Sequence, residues 1–226
     1  MASNKKSEET IVDVADVYSK SESFINKNGK SLTTIFGIAV LAILAFFLYK
    51  KFVDSPKAKE ASNEIWKAEY YLEKDSLDKA LFGDGQYLGF EDIASDYSGT
   101  PSGNLANHYA GIIYMQKGEY GTAVDFLKKA EFDDIMLESE RLGAVGDAYS
   151  QLGEYDNAAT WYAKSISYSD NEFTAPIYLK KLGLVYEELG QTGKAYDTYS
   201  RLKEDFSAST SAKDIEKYIG RVSAGR

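Results

Sequence analysis

An all-α chain, with a single N-terminal transmembrane helix followed by an α-solenoid of helix–turn–helix repeats, is predicted by three observations. Residues 31–49 carry no charge for 19 positions. Three later stretches repeat one pattern of Gly, Tyr and Ala at offsets of 35 and 37 residues. All three prolines, Pro56, Pro101 and Pro176, fall where helices would start and none interrupts a repeat.

The first segment, residues 1–30, is a polar tail with five Lys and five acidic residues. Its apolar residues are scattered, so a mobile tail is expected in preference to a weak amphipathic turn near Val17. Residues 31–51 form the expected span. Its heart, 35–48, contains only Ile, Phe, Gly, Ala, Val and Leu. Nineteen helical residues rise about 28 Å, close to the roughly 30 Å hydrocarbon core. Lys27 and Lys30 flank one end, and Tyr49, Lys50 and Lys51 the other, where they can reach headgroups. A signal peptide fits less well, because the charged tail is too long and no small-x-small cleavage site follows. Orientation is left open by charge: Lys20, Lys27 and Lys30 precede the span, while Lys50, Lys51, Lys57, Lys59 and Lys67 follow it. That count mildly favours a cytoplasmic C-terminal domain, yet long domains translocate largely regardless of charge.

Composition narrows the chemistry. Absence of Cys excludes a disulfide scaffold, thiolate metal sites and thiol catalysis, and a single His excludes multi-His metal sites. The net charge is −9, to which residues 54–226 contribute −11. Nucleic-acid binding needs clustered Lys and Arg and is not expected. Neither is a cofactor, a metal, a small-molecule substrate or catalysis.

The repeat itself runs Gly111, Tyr114, Gly118, Tyr120, Ala123, Leu127, Ala130, then Gly146, Tyr149, Gly153, Tyr155, Ala158, Tyr162, Ser165. The third copy is Gly183, Tyr186, Gly190, Thr192, Ala195, Tyr199, Leu202, with identical internal spacings. Gly118, Gly153 and Gly190 are expected to end one helix in a left-handed conformation. Ala123, Ala158 and Ala195 let the next helix approach closely. Gly111, Gly146 and Gly183 cost helix propensity, so their shared phase implies a packing need. This pattern resembles the tetratricopeptide repeat, departing from it where Ser165 and Leu202 replace the last Ala and Thr192 replaces a Tyr. Repeats are placed at 104–135, 138–170 and 174–206. A degenerate copy at 60–100 keeps Trp66, Ala68, Tyr71, Leu77 and Ala80 in register before 83–85 (Gly-Asp-Gly) interrupts it. A capping helix, 209–223, is expected to start at Ser209 or Ser211 and to place Ile215, Tyr218, Ile219 and Val222 on one face.

Candidate chemistry is thin. Gly83, Gly85 and Gly89 have the wrong spacing for a dinucleotide loop and no βαβ context. Asp75, Asp78 and Asp84 lack the ligand order of a Ca²⁺ loop and read as solvated acids. Asp133, Asp134, Glu138 and Glu140 sit at a helix start, where acids are favourable without any catalytic role. Superposed registers place His108, Ile112, Met115, Asp147, Ser150, Lys180, Leu184 and Glu187 on the groove lined by the first helices. His108 has an ordinary core or surface role as its alternative. Repeats that clamp a C-terminal carboxylate use a Lys/Asn/Lys/Arg set, and only Lys180 could serve, so that clamp is not expected.

The anchor-plus-repeat plan also resembles bacterial membrane-anchored repeat proteins. It resembles especially the ancillary subunit beside the Sec translocon, and the Gly-Asp-Gly insert also looks like Bacteroidetes-like members of this type. The resemblance implies a single-pass inner-membrane scaffold or adaptor with a periplasmic C-terminal domain, whose partners are proteins, among them translocon components or envelope chaperones and their clients. A cytoplasm-facing or organelle-surface import receptor is the alternative.

Overall fold

A computed structural model describes residues 14–224. The described residues divide into two compact units, one up to Ser55 and one from Pro56. In the first, helix α1 (Val14–Tyr49) is followed by a π-helical segment, Lys50–Asp54. One helical stretch, Ser21–Glu73, contains an 18-residue window of mean hydropathy 2.5, none of it buried, and is long and apolar enough to cross a membrane. The expected polar tail is corrected from Val14 onward, because helix already runs through residues 14–30. Nothing breaks the helix there: Gly29 is the only Gly and there is no Pro. Polar side chains turn back on their own helix, Asn28 Nδ2 donating to the Phe24 carbonyl (3.0 Å) and Thr33 and Thr34 Oγ1 to the carbonyls of Gly29 (2.7 Å) and Lys30 (2.8 Å). Such local pairing satisfies groups that an apolar environment would otherwise strand. The remainder of the expected tail, residues 1–13, lies outside the described residues.

The second unit is a run of paired helices. Helices α2 (Ser55–Glu73), α3 (Leu77–Phe82) and α4 (Phe90–Asp96) form the irregular first repeat. The pairs α5 (Pro101–Gln116) with α6 (Tyr120–Lys129), α7 (Ile135–Gln151) with α8 (Tyr155–Tyr168), and α9 (Ala175–Glu188) with α10 (Thr192–Asp205) follow. From α3 onward each helix packs chiefly on its sequence neighbours, as a solenoid requires.

The same turn joins each pair. Gly118, Gly153 and Gly190 have φ of +77°, +74° and +68°. The following N–H then reaches back to the carbonyl of Tyr114 (2.9 Å), Tyr149 (2.9 Å) or Tyr186 (2.8 Å), the six-to-one bond of a Schellman cap. In the first repeat Asp75 occupies this position with φ 55°, and Ser76 N–H donates to the Tyr71 carbonyl (2.9 Å). The inner glycines pack as expected. A Cβ on Gly111, Gly146 or Gly183 would lie 2.5, 2.6 or 2.2 Å from Leu127, Tyr162 or Tyr199 respectively. Ala123, Ala158 and Ala195 are fully buried on the facing helix.

Departures from the pattern have local reasons. Ser165 is buried and meets two other buried hydroxyl residues: Ser139 Oγ lies 3.0 Å from Ser165 Oγ and donates to Thr174 Oγ1 at 3.1 Å. The insert 83–89 divides what would be one helix into α3 and α4. Asp84 organises it, accepting from the N–H groups of Gln86 (2.9 Å) and Tyr87 (2.8 Å) and from Tyr71 Oη (2.6 Å). The expected capping helix starts later than 209: Ser209 caps a 3₁₀ turn, Thr210–Ala212, and α11 (Ile215–Ser223) begins after Asp214 at φ 62°. Its Ile215 and Val222 are buried, with Tyr218 and Ile219 packed beside the same core.

Candidate partner-binding cleft

The first helices α5, α7 and α9 present one side of the solenoid, and a cleft of about 720 Å³ opens there. Met115 from α5, Asp147, Ser150 and Gln151 from α7, Tyr155 and Tyr162 from α8, and Lys181, Leu184, Val185 and Glu188 from α9 line it. Apolar patches thus alternate with groups able to bond a peptide backbone. Such a surface suits an extended or amphipathic segment of another protein.

Asp147 is the electrostatic centre. Tyr162 Oη donates to its Oδ1 (2.7 Å), and Lys181 Nζ lies 2.7 Å from both of its oxygens. Burial first, then the Asp147 charge, pushes the Tyr162 phenol well above its ordinary range, so it stays a donor. This arrangement ties α7, α8 and α9 together and fixes the cleft wall. The lining holds two carboxylates, Asp147 and Glu188, against one ammonium, Lys181, which leaves it mildly acidic.

Of the residues assigned to the groove from sequence, Met115, Asp147, Ser150 and Leu184 come together in this cleft. Four do not. His108 is corrected most clearly: it is 5% exposed, with its ring edge-on to Phe132 at 5.6 Å. The segment between α6 and α7 closes over it, and the buried pair Glu138–Arg141 lies within electrostatic reach. Ile112 packs on Leu127, Ala144 and Val145. Lys180 sits 5.0 Å above the Tyr218 ring, and Glu187 accepts from Tyr199 Oη (2.6 Å) and the Arg221 guanidinium (2.6 and 2.7 Å). Both are therefore engaged by α11, the helix that follows the last repeat. Burial acts to raise the Glu187 pKa, but the Arg221 and Tyr199 hydrogen bonds outweigh it and hold the carboxyl below its ordinary value.

Sequence reasoning missed the other six lining residues, Gln151, Tyr155, Tyr162, Lys181, Val185 and Glu188. One signal was available for Lys181. It stands 34 residues after Asp147, as Arg221 stands 34 after Glu187, and each pair places a cation on the next first-type helix opposite an acid.

Acids singled out from sequence have structural tasks. Asp134 caps α7, accepting from the N–H groups of Met136 (3.0 Å) and Leu137 (2.9 Å). Glu138 accepts from Arg141 Nε (2.8 Å) and from the Phe132 N–H (3.1 Å), while Arg141 also donates to the Leu127 carbonyl (2.9 Å). Asp78 pairs with Lys117 at 2.7 Å.

Two tetratricopeptide repeat profiles match the chain, one over residues 140–172 and one over 181–209. A protein described as uncharacterized protein ycf37, from Guillardia theta, is 27% identical over 117 residues, which make up 50% of this chain and 64% of that relative. The chain therefore spans just under two thirds of it. Among solved structures, the crystal structure of MamA protein is similar with a TM-score of 0.53 and 19% identity, covering 76% of this chain and 83% of that one. A tetratricopeptide repeat protein from Parabacteroides merdae is similar with a TM-score of 0.60 and 17% identity, covering 74% and 61%. At such identities the likeness is one of fold, and it extends well beyond the residues matched by the two profiles.

Proposed function

We propose that this chain, which carries tetratricopeptide repeats, is a membrane-tethered scaffold that binds other proteins through the cleft between α5, α7 and α9. The observation that carries the reading is the cleft itself, about 720 Å³, with apolar Met115, Leu184 and Val185 set among polar groups. Partner segments with basic or amphipathic character suit its charge. The tether is the uncharged stretch 31–49. Partners belong to the cell envelope, either translocon components or chaperones and their clients, and the repeat unit faces the periplasm. The segment 54–226, of net charge −11, is also repelled by anionic lipid, which keeps its cleft available to proteins. Binding rather than catalysis is its task.

Crosslinking mass spectrometry on intact cells tests this. Translocon or envelope-chaperone partners are expected, and substituting Leu184→Asp should deplete them at unchanged expression. Recovery of cytosolic partners alone would overturn the envelope placement. A second reading, an import receptor facing the cytoplasm, is favoured by the five Lys that follow the span (Lys50, Lys51, Lys57, Lys59 and Lys67). Protease added to intact spheroplasts separates the two: digestion of the repeat unit supports the periplasmic placement, and protection supports the cytoplasmic one.

A further inference from the structure

Lys67, on α2, lies among four aromatic rings. Its ammonium nitrogen is 4.9 Å from the ring centre of Tyr70, 5.1 Å from Tyr71, 5.2 Å from Tyr87 and 5.3 Å from Trp66. Neighbouring rings support one another edge to face, Trp66 with Tyr87 at 5.7 Å and Tyr70 with Tyr71 at 5.8 Å. Three of the rings belong to α2, but Tyr87 is delivered by the insert 83–89, so the cup is assembled by tertiary structure. The same insert contributes Asp84. Hydrogen bonds from Tyr71 and from the Tyr87 and Gln86 N–H groups hold its carboxyl down to about 2, with Lys67 adding a weaker pull. Trp66 is 50% exposed and Tyr70 43%, so the cup opens to solvent and is not packed shut as a core would be.

Aromatic faces and a fixed carboxylate together attract cations. A primary ammonium is attracted to such faces, but it gives up strong hydration to reach them, and its three N–H donors gain less from a ring than from water. A trimethylammonium group has no donor to satisfy and presents methyl groups to every ring. We infer that this cup is a binding site for a trimethylammonium group, which Lys67 occupies until such a ligand displaces it. The inference is independent of the cleft between α5, α7 and α9. Lys67 then acts as an internal competitor that sets the affinity.

The test uses the full chain in a maltoside detergent, with Trp161→Phe so that Trp66 is the sole indole. Tetramethylammonium chloride is titrated against sodium chloride at equal ionic strength, reading Trp66 fluorescence. A saturable change is expected, with Kd about tenfold lower in Lys67→Ala and in Lys67→Gln, and no saturable change in Tyr87→Ala. Broadening of the tetramethylammonium proton signal provides a readout that does not depend on Trp66. Phosphocholine in solution and mixed micelles bearing phosphatidylcholine distinguish a soluble ligand from a lipid headgroup. Absence of a saturable response in a Lys67 variant that melts with the parent, or an undiminished response in Tyr87→Ala, would overturn the proposal. If Lys67→Ala fails to fold, Lys67→Gln, which keeps most of the apolar stem, decides.

Discussion

Acid should weaken the repeat unit through one identifiable group. His108 is the only histidine in the chain, so a single imidazole resonance reports it. Its side chain is buried against Tyr109 and Phe132, and Nδ1 meets no hydrogen-bond partner among the described residues. Burial, then the Arg141 guanidinium, lowers its pKa from 6.5 to about 4, with Glu138 acting in the opposite direction. An unfolded chain accepts this proton from about pH 6.5 downward, while the folded chain refuses it until about pH 4. Between those values the unfolded state binds more protons, so stability falls as pH falls. The contribution of His108 is complete above pH 6.5 and is lost on the way down through pH 4. That interval, at about 1.36 kcal/mol per pH unit, amounts to roughly 3 kcal/mol.

Two assays check this. The imidazole Cε1–H shift of the full chain in detergent should titrate with a midpoint near 4. Urea unfolding of the wild type and His108→Leu from pH 7 to pH 4 should show the wild type losing about 3 kcal/mol more. Carboxylates also titrate in this range, but they are common to both proteins and cancel in the difference. A midpoint between 6 and 7, or parallel stability curves, would refute the reasoning.

Other perturbations have equally definite expectations. Gly183→Ala should destabilise by about 1–3 kcal/mol, because its Cβ would lie 2.2 Å from the fully buried Tyr199 ring. Gly220→Ala in α11, with nothing within 4 Å, should instead stabilise by roughly 1 kcal/mol, and thermal melting compares the two. Asp75→Gly should stabilise by about 1 kcal/mol in urea titrations, since φ 55° is strained for a side chain and free for Gly. Arg141→Met should cost about 3–5 kcal/mol by leaving the Glu138 carboxylate buried and unpaired, and Glu138→Gln added to it should recover part of the loss.

Much of the solenoid was legible because its signals are local. Gly118, Gly153 and Gly190 announce a left-handed backbone whatever surrounds them, and all three adopt it. Gly111, Gly146 and Gly183 announce a close approach, and Leu127, Tyr162 and Tyr199 make it. The start of α1 was not legible, because helix through residues 14–30 needs only the absence of breakers and no apolar stripe marks it. Asp75 was passed over because an Asp in a loop looks unremarkable until its φ is known.

Depth is what the repeat register leaves out. Periodicity gives the direction in which a residue leaves its helix, but not what lies in that direction. Positions 108, 143 and 180 share one direction, yet they meet three fates. His108 is closed over by Phe132, and Gly143 leaves room for the Tyr178 ring, whose Cζ would lie 1.9 Å from an added Cβ. Lys180 remains half-buried, its ammonium over the Tyr218 ring. The next direction round, positions 112, 147 and 184, likewise starts in a packed seam at Ile112 and reaches the open cleft only at Asp147 and Leu184. Two neighbouring segments are the cause. The segment that crosses from α6 to α7 fills the side near α5, and α11 supplies Tyr218 and Arg221 to the side near α9. The cleft survives in the middle, around α7, where neither intrudes. Asp147 and its Lys181 clamp dominate this surface, and exchanging the two charges, Asp147→Lys with Lys181→Asp, keeps the ion pair but takes the acceptor from the buried Tyr162 hydroxyl, so urea unfolding should show a loss of about 1–3 kcal/mol.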